Sequence, residues 1–134
     1  MKSLLLALPL AFAAAGSHAA ETLLCTLDQY GPGNWIPEIV FIGWDDGTRT
    51  ATVSDPVILH FNGAPLLARI AADNDKRITF VWDLAVEDRA GTYVPTFIYR
   101  ATYLKQSGRM QISATAAGYD ARFQGGGTCQ RDAR

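Results

Sequence analysis

Cysteine, histidine and clustered charge are all scarce in this chain. Its 134 residues include two cysteines and two histidines, and the 12 Lys and Arg nearly balance the 13 Asp and Glu. Because the charges are scattered, the sequence lacks the basic patch by which proteins bind nucleic acid or an acidic lipid surface. The two cysteines are also too far apart for a Cys-x-x-Cys metal or redox motif. We therefore expect no nucleic-acid partner, no metal and no cofactor.

A long apolar run occurs at the N-terminus. Lys2 precedes an apolar segment from Leu4 to Ala15, and the small residues of Ser17-His18-Ala19 follow it. This order is typical of a secretory signal peptide. A membrane-spanning helix would need about 20 apolar residues, and this run is interrupted by Pro9. The run therefore predicts a signal peptide rather than a membrane anchor.

The predicted leader divides the chain in two. We expect a signal peptide over residues 1–19, cleaved after Ala19 or Ala20, and a single domain over residues 20–134. Leu24 stands before Cys25 where lipoprotein processing needs a small residue, so we do not expect a lipid anchor either. The mature chain of about 115 residues is long enough for one core. The predicted localisation is periplasmic or secreted, with no membrane anchor after cleavage.

The two cysteines of an exported protein would lie in an oxidising compartment. Cys25 lies near the start of the mature chain and Cys129 near its end. Exported proteins commonly keep such a pair as a disulfide, and we predict that these two residues are bonded. By closing the loop between them, the bond would stabilise the folded protein by up to about 4.7 kcal/mol in the chain-entropy model.

Period-two alternation along the chain between the two cysteines predicts β-strands. Residues 39–44, 77–83 and 97–104 alternate in this way and are rich in β-branched and aromatic residues, as strands are. Turn residues such as Asp45-Asp46-Gly47 and Gln106-Ser107-Gly108 separate the strands at the spacing of successive hairpins. We predict eight strands, over residues 21–29, 38–44, 48–54, 65–72, 77–84, 93–104, 109–116 and 119–129. Residues 55–65, with a proline near each end, predict a crossing segment or a short helical turn.

An even number of antiparallel strands lets the first and last strands pair, which removes exposed edges. The predicted fold is therefore all-β: a small antiparallel up-and-down barrel of about eight strands, closed by an N- to C-terminal disulfide. Gly125-Gly126-Gly127 predict a bulge or tight bend where the last strand meets the first. Seven aromatic residues are expected to face inward and to fill the barrel rather than leave a ligand cavity: Phe41, Phe80, Trp82, Phe97, Tyr99, Tyr103 and Phe123.

Catalytic candidates are few. His60 has no serine, cysteine or carboxylate at a telling spacing, whereas a nucleophile needs a base and an orienting group beside it. Asp45 and Asp46 could form an acid and base pair, but in Asp-Asp-Gly they are better explained as turn residues. The sequence predicts a non-enzymatic protein.

The loop between the first two predicted strands offers a binding surface. It carries Tyr30 and Trp35 on a segment stiffened by prolines, and aromatic residues on ordered loops suit recognition. The alternative is that Trp35 folds inward and plugs one end of the barrel. We therefore expect either a protein-binding module or, as the alternative function, a lipocalin-like carrier of a small apolar ligand.

Short motifs along the mature chain carry a family resemblance: Trp35-Ile36-Pro37, Asp55-Pro56 with Gly63 and Pro65, Tyr99-Arg100-Ala101, Gly118-Tyr119, Phe123-Gln124-Gly125 and Gly127-Thr128-Cys129. This pattern resembles small, uncharacterised exported proteins of Gram-negative bacteria. The resemblance implies an exported protein and brings no assigned activity.

The layout is also similar, more loosely, to the periplasmic inhibitors of C-type lysozyme. Those inhibitors carry a Ser-Gly-x-x-Tyr motif on a loop that enters the lysozyme cleft. Here Ser107-Gly108 begins the motif, and Gln111 stands where the tyrosine would be. The resemblance implies a contact through Ser107, Gly108 and Arg109, with Arg109 facing acidic residues of the cleft. The alternative is a plain hairpin turn followed by a solvated arginine.

Overall fold

Eight antiparallel strands form one closed barrel in the computed structural model, which describes residues 20–87 and 93–133. Each strand pairs with the next one in the chain, and the last pairs with the first, so every strand has two neighbours. The elements are β1 (Ala20–Tyr30), β2 (Ile39–Asp45), β3 (Thr50–Ser54), α1 (Pro56–Asn62), β4 (Leu66–Asp73), β5 (Arg77–Glu87), β6 (Tyr93–Leu104), β7 (Arg109–Ala116) and β8 (Arg122–Ala133).

This architecture confirms the predicted all-β up-and-down barrel. The largest shifts in predicted boundaries are at β8, expected over residues 119–129 and observed over Arg122–Ala133. The preceding residues form a turn in which Gly118 has a φ of 82° and the Tyr119 amide donates to the Ala116 carbonyl at 3.1 Å. The predicted signal peptide over residues 1–19 lies outside the described residues.

The crossing segment between β3 and β4 contains the short helix α1. Asp55 caps its N-terminus: its Oδ1 accepts a hydrogen bond of 2.8 Å from the Ile58 amide, which satisfies one of the free donors of the first turn. Pro56 occupies the first helical position, where its missing N–H costs nothing. Gly63 ends the helix with a φ of 75°, in the left-handed region that favours glycine. The prolines therefore marked a real helical turn.

The seam between β1 and β8 carries the predicted disulfide. Cys25 and Cys129 are direct partners in the ladder, with their Cα atoms 4.0 Å apart and their sulfurs bonded. The Cys129 amide points the other way and donates to the Gly108 carbonyl beside β7 at 2.9 Å. The cysteines therefore occupy a non-hydrogen-bonded pair of the β1–β8 ladder, where opposed side chains are closest. Disulfides persist in oxidising environments, so the bond indicates a non-cytoplasmic compartment.

The predicted bulge at Gly125-Gly126-Gly127 is wrong. Pairing through these residues runs without a register shift to both β1 and β7. The glycines are needed for close approach instead, because a Cβ on Gly125 would collide with the Asp28 carbonyl and one on Gly127 with the Thr26 carbonyl. Register shifts occur in the β4–β5 and β5–β6 ladders.

Side chains fill the barrel interior. The rings of Trp82 and Tyr99 stack with centroids 5.3 Å apart, and Trp44 lies 5.3 Å from Phe80. Of the predicted inward aromatics, five are buried and Phe123 is partly buried against the core. Those five are Phe80, Trp82, Phe97, Tyr99 and Tyr103.

The prediction for Phe41 is wrong: it faces outward and is 42% exposed, while its neighbours Val40 and Ile42 are buried. The reason lies across the ladder, where Val40 is the direct partner of the buried Cys25. Directly opposed residues share a face of the sheet. The disulfide side of β1 thus sets which face of β2 is inside.

Candidate binding surfaces

The structure places the predicted surface residues in two separate groups. Tyr30 ends β1 and Trp35 lies in the loop that follows, at the end of the barrel that carries α1. Ser107 and Gly108 form the hairpin before β7, and Arg109 begins that strand at the opposite end. The 8 residues of β7 extend roughly 25 Å at about 3.3 Å per residue. A single contact site cannot contain both groups.

Trp35 closes one end of the barrel. Its ring is partly buried and stacks on Phe97 with a centroid distance of 4.2 Å and on Phe61 of α1 at 5.7 Å. The side-chain carbonyl of Gln29 accepts hydrogen bonds of 3.0 Å from the amides of Trp35 and Ile36. These contacts fix the loop against the barrel, as the plug alternative expects.

A hydrogen bond from a buried tyrosine holds the Trp35 loop to the barrel. The Tyr99 hydroxyl donates a hydrogen bond of 2.8 Å to the Trp35 carbonyl. Burial, and then the nearby charge of Asp55, raise the pKa of Tyr99. Burial also raises the pKa of Asp55, against the opposing effect of its hydrogen bond from Ile58. Asp55 is 4% exposed and its Oδ2 has no hydrogen-bond partner. No protein group therefore replaces the water that this oxygen loses on burial.

The Ser107-Gly108 segment has the geometry of a hairpin turn. Gly108 adopts a φ of 73°, its amide donates to the Leu104 carbonyl at 2.9 Å, and the Ser107 Oγ accepts from the Arg109 amide at 3.3 Å. The hydroxyl therefore supports the turn itself, and Arg109 is exposed.

An apolar cluster on the outer wall was not predicted as a surface. Leu24 on β1 is the direct partner of Phe41 on β2, and Ile39 lies two residues before Phe41 on the same face. Their exposed fractions are 47%, 42% and 52%. We call these three residues the outer apolar patch. The sequence predicts Phe41 to face inward, and only the β1–β2 register brings it beside Leu24 on the outer wall.

A polar groove of about 380 Å³ lies on the outer wall over β6, β7 and β8, with Tyr30 of β1 at its rim. The side chains that line it are mainly arginine, amide and hydroxyl groups. The lining residues are Tyr30, Arg100, Thr102, Gln111, Ile112, Ser113, Arg122, Gln124 and Gly125. We call it the outer groove. Of the residues singled out from the sequence as binding candidates, only Tyr30 belongs to it.

The catalytic candidates lie apart from both surfaces. His60 is exposed on α1 and meets Phe61 edge-on at 4.7 Å, and Asp45 and Asp46 lie at the exposed β2–β3 hairpin. Within residues 20–87 and 93–133, no three or more His, Cys, Asp or Glu side chains converge as metal ligands. No helix in those same ranges is long and apolar enough to cross a membrane.

Comparison of the chain with protein-family models, with curated proteins and with solved structures gave no match.

Proposed function

We propose that the protein is an exported, non-enzymatic module that binds another protein through the outer apolar patch. The observation that carries the proposal is the patch itself: Leu24, Ile39 and Phe41 are adjacent, apolar and about half exposed. Contiguous exposed apolar groups on a soluble domain mark interaction surfaces more often than single ones do. A phenylalanine flanked by two aliphatic residues also offers the large, desolvating contact on which protein interfaces depend.

The packed interior favours this function over that of a small-ligand carrier. A carrier needs an enclosed cavity inside its barrel. Here the rings of Trp82 and Tyr99 are buried and stacked on each other, and Trp35 covers one end. Binding is therefore more easily supported by the outer wall than by the lumen.

The disulfide and the predicted leader together support an exported location. The Cys25–Cys129 bond suits an oxidising environment, and the apolar run before residue 20 has the order of a signal peptide. We propose the periplasm, in keeping with the resemblance to exported proteins of Gram-negative bacteria, with secretion as the alternative.

Site-specific photo-crosslinking tests the proposal. A photoreactive residue at position 41 in cells that export the protein should give one dominant protein adduct. The same residue at position 83, which is exposed on β5, should not. Leu24→Ser should reduce the adduct and weaken binding to the captured protein roughly tenfold, because about 1.5 kcal/mol of apolar burial is lost. Leu59→Ser is the matched control, since Leu59 on α1 has the same exposed fraction of 47%.

Three results would overturn this function. They are equal adducts at positions 41 and 83, an adduct unaffected by Leu24→Ser, or capture of a small molecule alone. Native mass spectrometry of the exported protein is the direct check for a carrier, because a carrier would retain a stoichiometric apolar molecule.

Inhibition of C-type lysozyme is a second candidate function, which the loose resemblance suggests, and it would use a different surface. It requires Ser107, Gly108 and Arg109, with Arg109 forming charge-assisted hydrogen bonds to acidic groups of the enzyme. An assay with a large molar excess of the protein tests it. Undiminished lytic activity would remove lysozyme as the partner and leave the crosslinking experiment unaffected.

A further inference from the structure

The outer groove follows from strand register. Arg100 on β6 pairs with Ser113 on β7, Ser113 pairs with Gln124 on β8, and Gln124 pairs with Tyr30 on β1. Directly opposed residues point to the same face, so four strands present one row of polar side chains outward. Arg122 lies two residues from Gln124 on the same strand and face. The row thus has an arginine at one end, a tyrosine at the other and a second arginine alongside.

A glycine gives the groove its aromatic rim. A Cβ on Gly126 would lie 2.6 Å from the Tyr30 hydroxyl and 2.9 Å from the Met110 carbonyl. Tyr30 therefore lies across the bare backbone of β8 at Gly126. Its side chain remains 60% exposed, so the ring leaves a face free at the edge of the polar row.

The arginines of the groove form no ion pair within the part of the protein that the structure describes. Arg131 is paired with Glu21 at 2.6 Å and Lys105 with Asp73 at 3.0 Å. Arg100 and Arg122 make no comparable ion pair with any residue in the ranges 20–87 and 93–133. The described residues that line the groove also include no Asp or Glu. An anionic ligand would therefore meet two available guanidinium groups.

We propose that the outer groove binds an acidic oligosaccharide, a chain of sugars that carries carboxylates. The arginines match carboxylates through charge-assisted, bidentate hydrogen bonds. The amides of Gln111 and Gln124 and the hydroxyl of Ser113 can both donate to and accept from sugar hydroxyls. The apolar face of a sugar ring can pack on the exposed ring of Tyr30.

Closure of the barrel argues against an acidic peptide as the ligand. An extended peptide gains much of its affinity by adding a strand to a free sheet edge. Here β6, β7, β8 and β1 are each paired on both sides, so their backbone donors and acceptors are already used. The groove offers side chains alone, which suits a ligand covered with hydroxyls and carboxylates.

The groove and the outer apolar patch are separate sites. Leu24 and Tyr30 are six residues apart on β1, which corresponds to roughly 20 Å at about 3.3 Å per residue. A saccharide bound beside Tyr30 would leave Leu24 and Phe41 free, so the two proposals can succeed or fail independently.

Isothermal titration calorimetry of the mature, oxidised protein tests the proposal. The probes are a hexamer of galacturonic acid, its methyl ester, which removes the charge without changing the chain, a hexamer of glutamate and inorganic phosphate. We expect only the galacturonic acid hexamer to bind. Added salt should weaken this binding because the contacts are exposed. Arg100→Gln and Arg122→Gln should each weaken it about tenfold, the effect of losing roughly 1.4 kcal/mol, and Tyr30→Ala should weaken it as well.

Arg49→Gln is the matched control, because Arg49 is an exposed arginine outside the groove and its replacement should leave affinity unchanged. Thermal melting of each variant shows whether it is folded. Equal binding of the methyl ester, tighter binding of the glutamate hexamer, binding of phosphate alone, or equal losses in Arg100→Gln and Arg49→Gln would each overturn the proposal. Absence of binding by the galacturonic acid hexamer would overturn it too.

Discussion

The hydroxyl of Tyr99 and the carbonyl of Trp35 are 2.8 Å apart and joined by a hydrogen bond, although the residues are 64 positions apart in the chain. Tyr99 belongs to the barrel wall and is 1% exposed, whereas Trp35 belongs to the loop that covers one end. The bond therefore attaches the plug to the wall from inside the core.

Removing that hydroxyl should loosen the plug without disturbing the packing. Tyr99→Phe keeps the ring stacked on Trp82 but removes the donor to the Trp35 carbonyl, a part-buried hydrogen bond whose loss should cost about 1 kcal/mol. Urea denaturation should show a loss of that size. Tyr103→Phe is the control, because Tyr103 is also buried and its hydroxyl makes no hydrogen bond within the described residues; an equal loss in both variants would contradict the assignment.

Truncation of Trp35 itself separates the plug from a binding surface. Trp35→Ala removes the stacking on Phe97 and Phe61 and should lower the free energy of unfolding by about 2–4 kcal/mol, near the range for large aromatic residues. For a domain of this size that means a melting temperature lower by roughly 10 °C. Tyr119→Ala, an exposed aromatic in the β7–β8 turn, should change little. Unchanged stability in Trp35→Ala would favour a solvent-facing role for the ring.

The stability contributed by Asp55 should depend on pH. Its pKa is raised in the folded state by burial, so between the ordinary and the raised pKa the folded protein holds a proton that the unfolded chain has released. Compared with a variant that has a neutral residue at position 55, the protein is therefore most stable below the ordinary pKa. It loses that stability as the pH rises through the raised pKa. Asp55→Asn keeps a good N-cap and removes the charge.

Urea denaturation of both proteins at about pH 4 and about pH 7 measures this effect. We expect Asp55→Asn to gain stability relative to the unmodified protein between the two values. Asp55→Ala should be less stable than Asp55→Asn at both, by about 1 kcal/mol, because it also loses the cap. A difference between Asp and Asn that is independent of pH would show that the carboxyl has no raised pKa.

Gly127 should tolerate no side chain. Gly127→Ala would place a Cβ against the Thr26 carbonyl of β1, and backbone in a closed ladder cannot yield cheaply, so we expect a loss of about 3 kcal/mol or more. Thr128→Ala, at the next and exposed position of the same strand, should change stability by less than about 0.5 kcal/mol. Similar melting temperatures for the two variants would contradict the close approach of β8 to β1.

The disulfide should contribute through loop closure. Cys25 and Cys129 are separated by 104 positions, and replacing both with serine should cost about 2–4 kcal/mol. Thiol titration of the unfolded, unreduced protein should find no reactive thiol. Two reactive thiols per chain would mean that the bond is absent from the exported protein.

The strand count and the closure were predictable because they rest on local alternation and on the positions of two cysteines. The face of β2 was not predictable, since Ile39 and Phe41 alternate with Val40 and Ile42 and both sets are apolar. Only the pairing of Val40 with Cys25 distinguishes them. The same limit hid the outer apolar patch, because its three residues become neighbours through that register.

The outer groove was hidden for a related reason. Arg100, Ser113, Gln124 and Tyr30 come from four strands and share no sequence motif. Their alignment depends on the register of three strand pairings, and alternation within one strand says nothing of the stagger between strands. By contrast, the Asp55-Pro56 pair is a local signal for a helix start, and α1 begins at Pro56 with Asp55 as its N-cap.

The position of the disulfide also determines how the barrel would respond to mechanical tension. Cys25 and Cys129 face each other near the two ends of the described chain, with Glu21 paired to Ala133 just outside them. A force pulling those ends apart would peel the few residue pairs outside the bond and then act along the covalent sulfur bridge. The 104-position loop between the cysteines would carry no load, so the plug and the groove would keep their geometry under tension, whereas Leu24 of the outer apolar patch lies among the peeled pairs.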